Sequence, residues 1–333
     1  MKIVFLSFYS GYVHRGMETV VHELAKRLSQ KHQLTVLQAG PQYRAQTYPL
    51  KTLNSQNIFS FTLKALKVIK QFKPDIILPA NGGWQTLLIK LYCLTHKAKM
   101  IVSGQAGLGR PDGWNLLLKP DVFIALTSRN AHWAKKHSWQ VNIKVIPNGV
   151  DLSLFKTQGK KISLSLPQPV ILCVAGPEAY KQVEATIQAV ANLKQGSLLL
   201  AGGGDRQAKI GQAVLGKRFL RKKFSHQQMP AVYRTADVFT LVSQSTEAFG
   251  VAYLEALATG LPVVALDDQL RQEILGPHAV YVKDPSNIKD YADKLNQALK
   301  LPKQRPDSWL KQYSWDTIAS KYQKAFQHAL KNK

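Results

Sequence analysis

The fold class of this chain is decided by residues 245–265, which read STEAFGVAYLEALATGLPVVA. An apolar run ending near Val242 precedes this segment, and a loop carrying Glu247 follows that run. A helix is predicted from Gly250 to Gly260, and the next apolar run begins directly after it. Strand, helix and strand in succession predict a βαβ unit, which is the building block of a parallel sheet.

The same alternation continues on both sides of this segment. Strands are predicted at residues 2–7, 34–39, 76–78, 100–103, 122–126 and 144–146, and again at 170–174, 197–201, 238–242 and 262–265. Residues 155–169 contain Gly159, Pro167 and Pro169, which predict a linker. We therefore expect two Rossmann-like, doubly wound α/β domains, residues 1–155 and 156–314. The helix predicted at 315–333 is expected to pack back on the first domain.

The predicted helix that begins at Gly250 suits a diphosphate. Its free N–H groups and partial positive charge attract anions, and glycine allows phosphates to approach the backbone closely. Glu255 lies about five residues into this helix, roughly 7 Å along the axis, which matches the reach from a diphosphate to a ribose. Glu247, on the preceding loop, is placed to touch a transferred sugar. The alternative is a buried glutamate paired with an arginine, since an unpaired charge there is costly.

This pattern resembles glycosyltransferase family 4. The resemblance rests on Glu247 and Glu255 with seven residues between them, on Phe-Gly at 249–250, and on the Glu-Ala-Leu-Ala-x-Gly-x-Pro-Val-Val run that starts at Glu255. It extends over nearly the whole chain and is closer in the second half. It implies the GT-B fold, with two Rossmann-like domains facing across a cleft. It also implies a retaining transfer of sugar from a nucleotide-diphosphate donor, without metal or other cofactor.

The resemblance implies a role for each matching position. Glu255 would bind the donor ribose, while Glu247 and Lys181 would be catalytic. Lys181, expected to open the helix that runs to residue 193, would neutralise the leaving diphosphate. The full set of positions expected to contact the donor is Glu255, Phe249, Gly250, Val251, Gly16, Gly203 and Glu178.

Two positions depart from the family pattern. The family commonly has an arginine five or six residues before Lys181, where this chain has Gly176 and Ala175. Many relatives carry a histidine where Gln105 stands, and a neutral amide cannot transfer a proton. Arg15 is a candidate to supply the lost positive charge. The residues expected on the acceptor side are Arg15, Glu18 and Gln105.

The chain is strongly basic, with 45 Lys and Arg against 20 Asp and Glu, or a formal charge of +25. Such a charge attracts polyanions. Residues 59–73 predict a basic amphipathic helix that can lie on anionic lipid, and its lysines are Lys64, Lys67, Lys70 and Lys73. A helix that faces the core with a solvated lysine ridge is the alternative. Nucleic acid is not an expected partner, because no basic motif with interleaved aromatic residues occurs.

The remaining features favour a cytoplasmic enzyme that docks on the inner face of the cell membrane. Cys93 and Cys173 lie in apolar contexts typical of buried thiols in a reducing compartment. The apolar run at the start is too short for a signal peptide, and no stretch reaches the length of a spanning helix. The expected partners are a nucleotide-diphosphate sugar (UDP, GDP or ADP) and a glycan or lipid-linked acceptor. The alternative functions are an inactive GT-B protein and an NAD enzyme, the latter disfavoured because no GxGxxG follows the first strand.

Overall fold

The computed structural model describes residues 1–13, 16–40, 47–244, 246–303 and 308–331. The chain divides into two compact units, Met1–Gly149 together with the C-terminal residues from Trp315 onward, and Val150–Ser314. The division lies at Gly149, ahead of the expected boundary at residue 155. Val150 donates its N–H to the carbonyl of Tyr313 at 2.8 Å, and so belongs to the second unit.

The first unit is built on one parallel sheet. Its strands within the described residues are β1 (Lys2–Ser7), β2 (Gln33–Gln38), β3 (Leu50–Thr52), β4 (Ile76–Pro79), β5 (Lys99–Ser103), β6 (Val122–Ala125) and β7 (Ile143–Val145). They lie side by side in the order β3-β2-β1-β4-β5-β6-β7. The strand order therefore reverses at β1, and ligands bind α/β sheets at the carboxyl ends of strands beside such a point.

Helices cover both faces of this sheet. They are α1 (Gly16–Leu28), α2 (Ile58–Phe72), α3 (Trp84–Thr95), α4 (Arg110–Leu117) and α5 (Ser128–His137). Residues of α1 share one apolar core with β1, whereas residues of α2 to α5 form the core on the opposite face. The second helix buries Phe61, Ala65 and Ile69 and exposes Lys64 and Lys67, so it is a core-facing helix with a lysine ridge.

The second unit repeats this plan. Its described strands are β8 (Val170–Ala175), β9 (Ser197–Gly202), β10 (Phe219–Lys222), β11 (Val238–Leu241), β12 (Val263–Leu266) and β13 (Val280–Val282), in the order β10-β9-β8-β11-β12-β13. Its helices are α6 (Val183–Ala191), α7 (Asp205–Leu215), α8 (Met229–Thr235), α9 (Val251–Ala258), α10 (Gln269–Leu275) and α11 (Ile288–Leu299). Here the order reverses at β8, between β9 and β11.

The C-terminal helix α12 (Trp315–Lys331) belongs to the first unit. Its buried residues Ile318, Tyr322 and Phe326 recur every four positions, which places them on one helix face toward the core shared with β1 and α1. The hydroxyls of Tyr322 and Ser103 lie 2.8 Å apart and tie this helix to the end of β5. No helix in the described ranges combines the length and apolar character needed to cross a membrane.

Candidate functional site

Three segments of the second unit meet at the carboxyl ends of its central strands. Residues 176–182 follow β8, residues 203–204 follow β9, and residues 242–244 and 246–250 follow β11. Because β8 is where the strand order reverses, this edge is the expected ligand-binding edge of the sheet. Of the second-unit residues predicted to bind donor, all except Glu255 lie in these segments or at the start of α9.

Gly250 shapes the entry to α9. It has a φ of +86°, and a Cβ there would lie 2.5 Å from the ring of Tyr253. That ring is held in place because the Tyr253 hydroxyl donates to the carbonyl of Leu241 at 2.7 Å. Only glycine fits this position without strain. Helix α9 then starts at Val251, where the first N–H groups of a helix have no partner within it and carry partial positive charge.

Phe249 contributes to this entry through its backbone. Its side chain is 2% exposed, and its ring lies 6.4 Å from that of Tyr313. The ring therefore anchors the loop in the core of the second unit. Only the main chain of Phe249 is then left to contact a ligand.

Lys181 and Glu247, although far apart in sequence, form an ion pair. Their side chains are 14% and 11% exposed, so the pair is largely shielded from water. Burial lowers the pKa of Lys181, but the neighbouring Glu247 carboxylate outweighs it and the net shift is upward. The Lys181 ammonium also lies 5.0 Å from the ring centroid of Tyr180. The pair places a stable positive charge next to a carboxylate at the edge of the sheet.

The position of Lys181 corrects one expectation. It does not open the helix but ends a short 3-10 turn, Ala179–Lys181, and α6 begins only at Val183 after Gln182 in the left-handed region (φ +52°). The turn closes because Lys181 donates its N–H to the carbonyl of Glu178 at 3.0 Å. Its side chain is thereby directed from a tight turn rather than from a helix.

At Gly176, one of the two positions where the family commonly has an arginine, a neighbouring glutamate lies in the space of the missing side chain. Glu178 is exposed, and its carboxylate folds back toward this glycine. A Cβ at Gly176 would lie 2.1 Å from the Glu178 Oε2 atom. The space that a side chain at position 176 would need is thus filled by Glu178.

Glu255 lies on α9 next to the hydroxyl of Tyr233, which donates to its Oε2 at 2.7 Å. The side chain is only partly exposed. Burial raises the pKa of Glu255 to about 7, although the bond from Tyr233 opposes the shift. Tyr233 itself is fully buried, so it fixes one carboxylate oxygen. The second oxygen can accept hydrogen bonds from a ligand, as a ribose-binding glutamate must.

The glycine loop after β9 is a tight structural turn. Gly202 has a φ of +109°, and Gly203 has a φ of +63° and donates its N–H to the carbonyl of Ala175 at 2.7 Å. The amide of Gly203 is therefore used inside the protein, and its contact with a donor stays a prediction. A cavity of about 510 Å³ adjoins this loop, within the size range of small-ligand sites, and its lining includes Pro177, Gln182, Gly204, Gln207 and Gln244.

Sequence reasoning missed Arg271, which forms hydrogen bonds to the loop after β11. Its guanidinium is fully buried and donates to the carbonyl and hydroxyl oxygens of Ser243, at 2.5 and 2.7 Å. It also pairs with Asp268, the residue that caps α10. An arginine three residues after a capping aspartate is the sequence signal for such a pair. Through Ser243, this arginine positions the loop that carries Glu247.

In the first unit, the predicted residues lie at the carboxyl ends of β1 and β5. Gly16 begins α1, and a Cβ at this position would have nothing within 4 Å. Glu18 follows it with a buried Oε2 that has no hydrogen-bond partner among the described residues. Arg15 lies outside the described residues. Gln105 exchanges two hydrogen bonds with Asn148, of 3.0 and 2.9 Å, so both ends of its amide are already engaged.

Two family models together cover most of the chain. The model described as Glycosyltransferase Family 4 matches residues 14–154. The model described as Glycosyl transferases group 1 matches residues 155–312.

The chain is also similar to curated proteins over part of its length. It is 29% identical over 188 residues to the lipopolysaccharide core biosynthesis mannosyltransferase LpsB of Rhizobium meliloti, covering 50% of this chain and 52% of that protein. It is 26% identical over 202 residues to a phosphatidyl-myo-inositol mannosyltransferase of Mycobacterium tuberculosis, covering 55% of this chain and 53% of that protein. The matches thus span about half the length of these relatives.

Solved structures share the fold over nearly the full chain. Anabaena HepE in complex with UDP and glucose superimposes with a TM-score of 0.77 at 17% identity, covering 98% of this chain and 99% of that one. Sucrose-phosphate synthase of Thermosynechococcus elongatus gives a TM-score of 0.80 at 17% identity, covering 100% of both chains. With two adjoining family models and this shared architecture, the chain belongs to the family 4, group 1 glycosyltransferases and has the GT-B fold.

Proposed function

We propose that the protein is an active glycosyltransferase that moves a sugar from a nucleotide-diphosphate sugar to a hydroxyl acceptor. The observation that carries this proposal is the pairing of Lys181 with Glu247 at the carboxyl edge of the sheet that also holds the entry to α9. The pair places a positive charge near the helix N-terminus that is proposed to hold the diphosphate.

Each residue of the site has one task in the proposed reaction. The donor diphosphate lies at the start of α9, where the main chain of Gly250 and Val251 donates to its oxygens. Glu255 accepts hydrogen bonds from the ribose through the oxygen that Tyr233 leaves available. Negative charge develops on the diphosphate as the bond to the sugar breaks, and the Lys181 ammonium stabilises that charge. Glu247, paired with the same lysine, contacts the sugar.

The absence of an arginine at positions 175 and 176 places more of this task on Lys181. Glu178 fills the space beside Gly176, so this chain has a carboxylate where the family commonly has a cation. Lys181 and the N-terminus of α9 therefore supply the positive charge that faces the diphosphate. Arg15 is our candidate for an additional cation. No resident metal or other cofactor is part of the proposal.

We propose retention of the anomeric configuration, with the acceptor hydroxyl attacking from the face that the diphosphate leaves. We also propose a glycolipid or lipid-linked glycan as the acceptor. The support for this acceptor class is the similarity to enzymes named for lipopolysaccharide core and phosphatidylinositol mannoside synthesis. NMR analysis of the anomeric proton in the product would reveal an inverted linkage and so contradict the proposed stereochemistry.

An anionic membrane surface is the proposed partner of the first unit. The layer of α2, α3 and α4 exposes large apolar side chains beside the lysine ridge, and the rings of Phe59 and Trp84 contact each other at 5.8 Å between centroids. The apolar members are Phe59, Leu63, Trp84, Leu91, Leu94, Trp114 and Leu117. Aromatic and leucine side chains with basic neighbours are typical of helices that lie on lipid. Docking there would bring the enzyme to a lipid-linked acceptor in the cytoplasmic leaflet.

A donor screen tests the proposed function. UDP-, GDP- and ADP-sugars are added to the purified protein, and both the melting temperature and slow release of the nucleotide are recorded. We expect stabilisation by one nucleotide family, with loss of that effect in Glu255→Ala. Glu273→Ala, which changes an exposed glutamate of the same unit, is the matched control and should respond like the wild type.

Two outcomes would contradict the proposal. Well-folded protein that no donor stabilises would contradict nucleotide-sugar binding. Stabilisation by a donor without any nucleotide release, with or without acceptor, would instead favour the inactive GT-B alternative. Equal responses from Glu255→Ala and the wild type would place the ribose away from Glu255.

A further inference from the structure

A cluster of buried polar side chains lies at the carboxyl ends of β4 and β5 in the first unit. Its members are Gln85, Asp112 and Asn115, which are 0%, 3% and 6% exposed. None of them is among the residues that the proposed donor site uses. Polar groups at this depth are normally fully hydrogen-bonded, because an unpaired one lowers the stability of the fold.

Gln85 has an unpaired donor. Its Oε1 accepts the N–H of Asn81 at 2.8 Å, which identifies that end of the amide as the oxygen. The opposite atom is therefore Nε2, which is buried and has no hydrogen-bond partner in the part of the chain that the structure describes. Asn81 in turn accepts the N–H of Phe8 at 2.8 Å, so this loop is held against the end of β1.

Asn115 has an unpaired acceptor. Its Nδ2 points to Asp112 Oδ1 at 3.4 Å, and this leaves Oδ1 as the atom that faces away from the carboxylate. That oxygen is buried and lacks a partner within the described ranges. Asp112 accepts the N–H of Ala106 at 3.0 Å through its other oxygen. Burial raises the pKa of Asp112 to about 6, while these two hydrogen bonds oppose the shift.

A glycine lies over the cluster. Gly82 is exposed, and a Cβ at this position would lie 3.3 Å from Asn115 Oδ1. The unpaired oxygen thus lies directly beneath the one atom that any other residue would add. Gln85 Oε1 accepts the N–H of Asn81, the residue before Gly82, so the side-chain amides of Gln85 and Asn115 both lie beside the segment Asn81–Gly82.

We propose that Gln85, Asp112 and Asn115 bind hydroxyl groups of a carbohydrate acceptor, an assignment that rests on the proposed transferase function. Sugar hydroxyls both accept and donate, so one hydroxyl can accept from Gln85 Nε2 and another can donate to Asn115 Oδ1. The Asp112 carboxylate takes a hydrogen bond from a further hydroxyl. Several hydroxyls of one sugar together satisfy the donor, the acceptor and the carboxylate.

Saturation-transfer NMR on the full chain tests this assignment without nucleotide. The probes are methyl α-D-mannopyranoside and methyl α-D-glucopyranoside at millimolar concentration. Gly82→Ala covers the Asn115 oxygen while keeping every polar group. Asp112→Asn removes the charge and replaces one of the two accepting oxygens by an amide nitrogen. We expect both variants to bind the glycosides at least tenfold more weakly than the wild type.

Two controls separate a binding role from a structural one. Gly113→Ala adds a methyl group in open space one residue from Asp112. Asp121→Asn changes an aspartate that accepts the N–H of Met100 at the opposite end of β5. Both controls should bind the glycosides within twofold of the wild type. Equal binding by Gly82→Ala, Asp112→Asn and the wild type would overturn the assignment, as would a wild type that binds neither glycoside.

The donor screen, run on the same variants, distinguishes a failure of this assignment from a failure of the proposed function. Gly82→Ala and Asp112→Asn should be stabilised by the nucleotide sugar as the wild type is. A wild type that binds a glycoside but no nucleotide sugar would contradict the transferase proposal while leaving the hydroxyl-binding cluster in place. A wild type that binds the nucleotide sugar but no glycoside would contradict the cluster alone.

Discussion

At the scale of single residues, the site depends on charges that are shielded from water. Lys181 keeps its proton because Glu247 compensates for the burial of its ammonium. Burial raises the pKa of Glu255 to about 7, so this carboxyl is about half protonated at neutral pH. The same shielding strengthens the interaction of either residue with a ligand charge, since fewer water molecules screen it.

Replacement of Lys181 by methionine should lower the rate of transfer by about 100-fold or more, the usual effect of removing one electrostatic stabiliser of a leaving group. Methionine keeps most of the apolar stem, so the loss reflects the missing ammonium. Steady-state kinetics with the best donor measure the effect, and Lys194→Met, at an exposed lysine of the same unit, is the control. A rate within threefold of the wild type would exclude Lys181 from the stabilisation of the leaving group.

Glu255→Gln should change how stability depends on pH. The pKa of Glu255 is raised from 4.5 to about 7 in the folded state, so protonation favours folding. That contribution is complete below pH 4.5 and is lost as pH rises through about 7. Glutamine cannot ionise, so the stability of the variant relative to wild type should increase by up to about 3 kcal/mol across this range. Urea unfolding at pH 5 and pH 8 measures the difference, and a constant difference would contradict the raised pKa.

At the scale of elements, two helices begin near a glycine at the edge of a sheet, and only one of these glycines is required by the local backbone geometry. Gly250 precedes α9 with a positive φ and a tyrosine ring in the space of a Cβ, whereas Gly16 begins α1 with nothing within 4 Å. Both glycines were predicted from sequence to contact the donor. The local geometry explains the glycine at position 250 by its backbone conformation, whereas the glycine at position 16 would be required only by a ligand.

Gly250→Ala should destabilise the fold by about 1–3 kcal/mol, because alanine at this φ is strained and its methyl group meets Tyr253. Gly16→Ala should leave the melting temperature unchanged, so any loss of activity in that variant reports a ligand near α1. Differential scanning calorimetry of both variants measures the contrast. A large loss of stability in Gly16→Ala would show that the fold also requires glycine at position 16, and would contradict the expected contrast between the two positions.

At the scale of the whole molecule, charge and exposed apolar surface support the proposed contact with an anionic membrane. The formal charge is +25, and the layer of α2 to α4 adds exposed tryptophans and leucines. The side chains of Trp84 and Trp114 are 62% and 64% exposed. A contiguous exposed apolar surface of this kind commonly marks an interaction site.

Vesicle co-sedimentation should show binding to phosphatidylglycerol vesicles and not to phosphatidylcholine vesicles. The double variant Trp84→Ser/Trp114→Ser should bind at least tenfold more weakly, because both residues would lose apolar contact with lipid. Leu301→Ser, at an exposed leucine of the second unit, should bind like the wild type. Raised salt should weaken the binding of the wild type to phosphatidylglycerol vesicles, because it screens the lysine charges. Equal binding to both lipids would contradict an electrostatic contribution, and equal binding by the double variant would contradict insertion of the tryptophans.

The core strands and most helices were predictable because each is a local pattern. Buried strands of the two sheets are short apolar runs, and helices such as α12 repeat apolar residues every four positions. The strands β3, β10 and β13 were missed. Each has only three or four residues and lies at the edge of its sheet, where half of the strand faces solvent and the apolar pattern is weak.

The sequence by itself determined the two α/β units and the family, and it predicted Lys181, Glu247 and Glu255 as site residues, because local periodicity and a contiguous motif carry that information. The tertiary structure decided which of these residues pair. Glu247 lies opposite Lys181, Tyr233 holds Glu255 and Arg271 braces the loop before Glu247. These partners come from different strand–helix units, so their contacts exist only once parallel strands bring their carboxyl ends to one edge of the sheet.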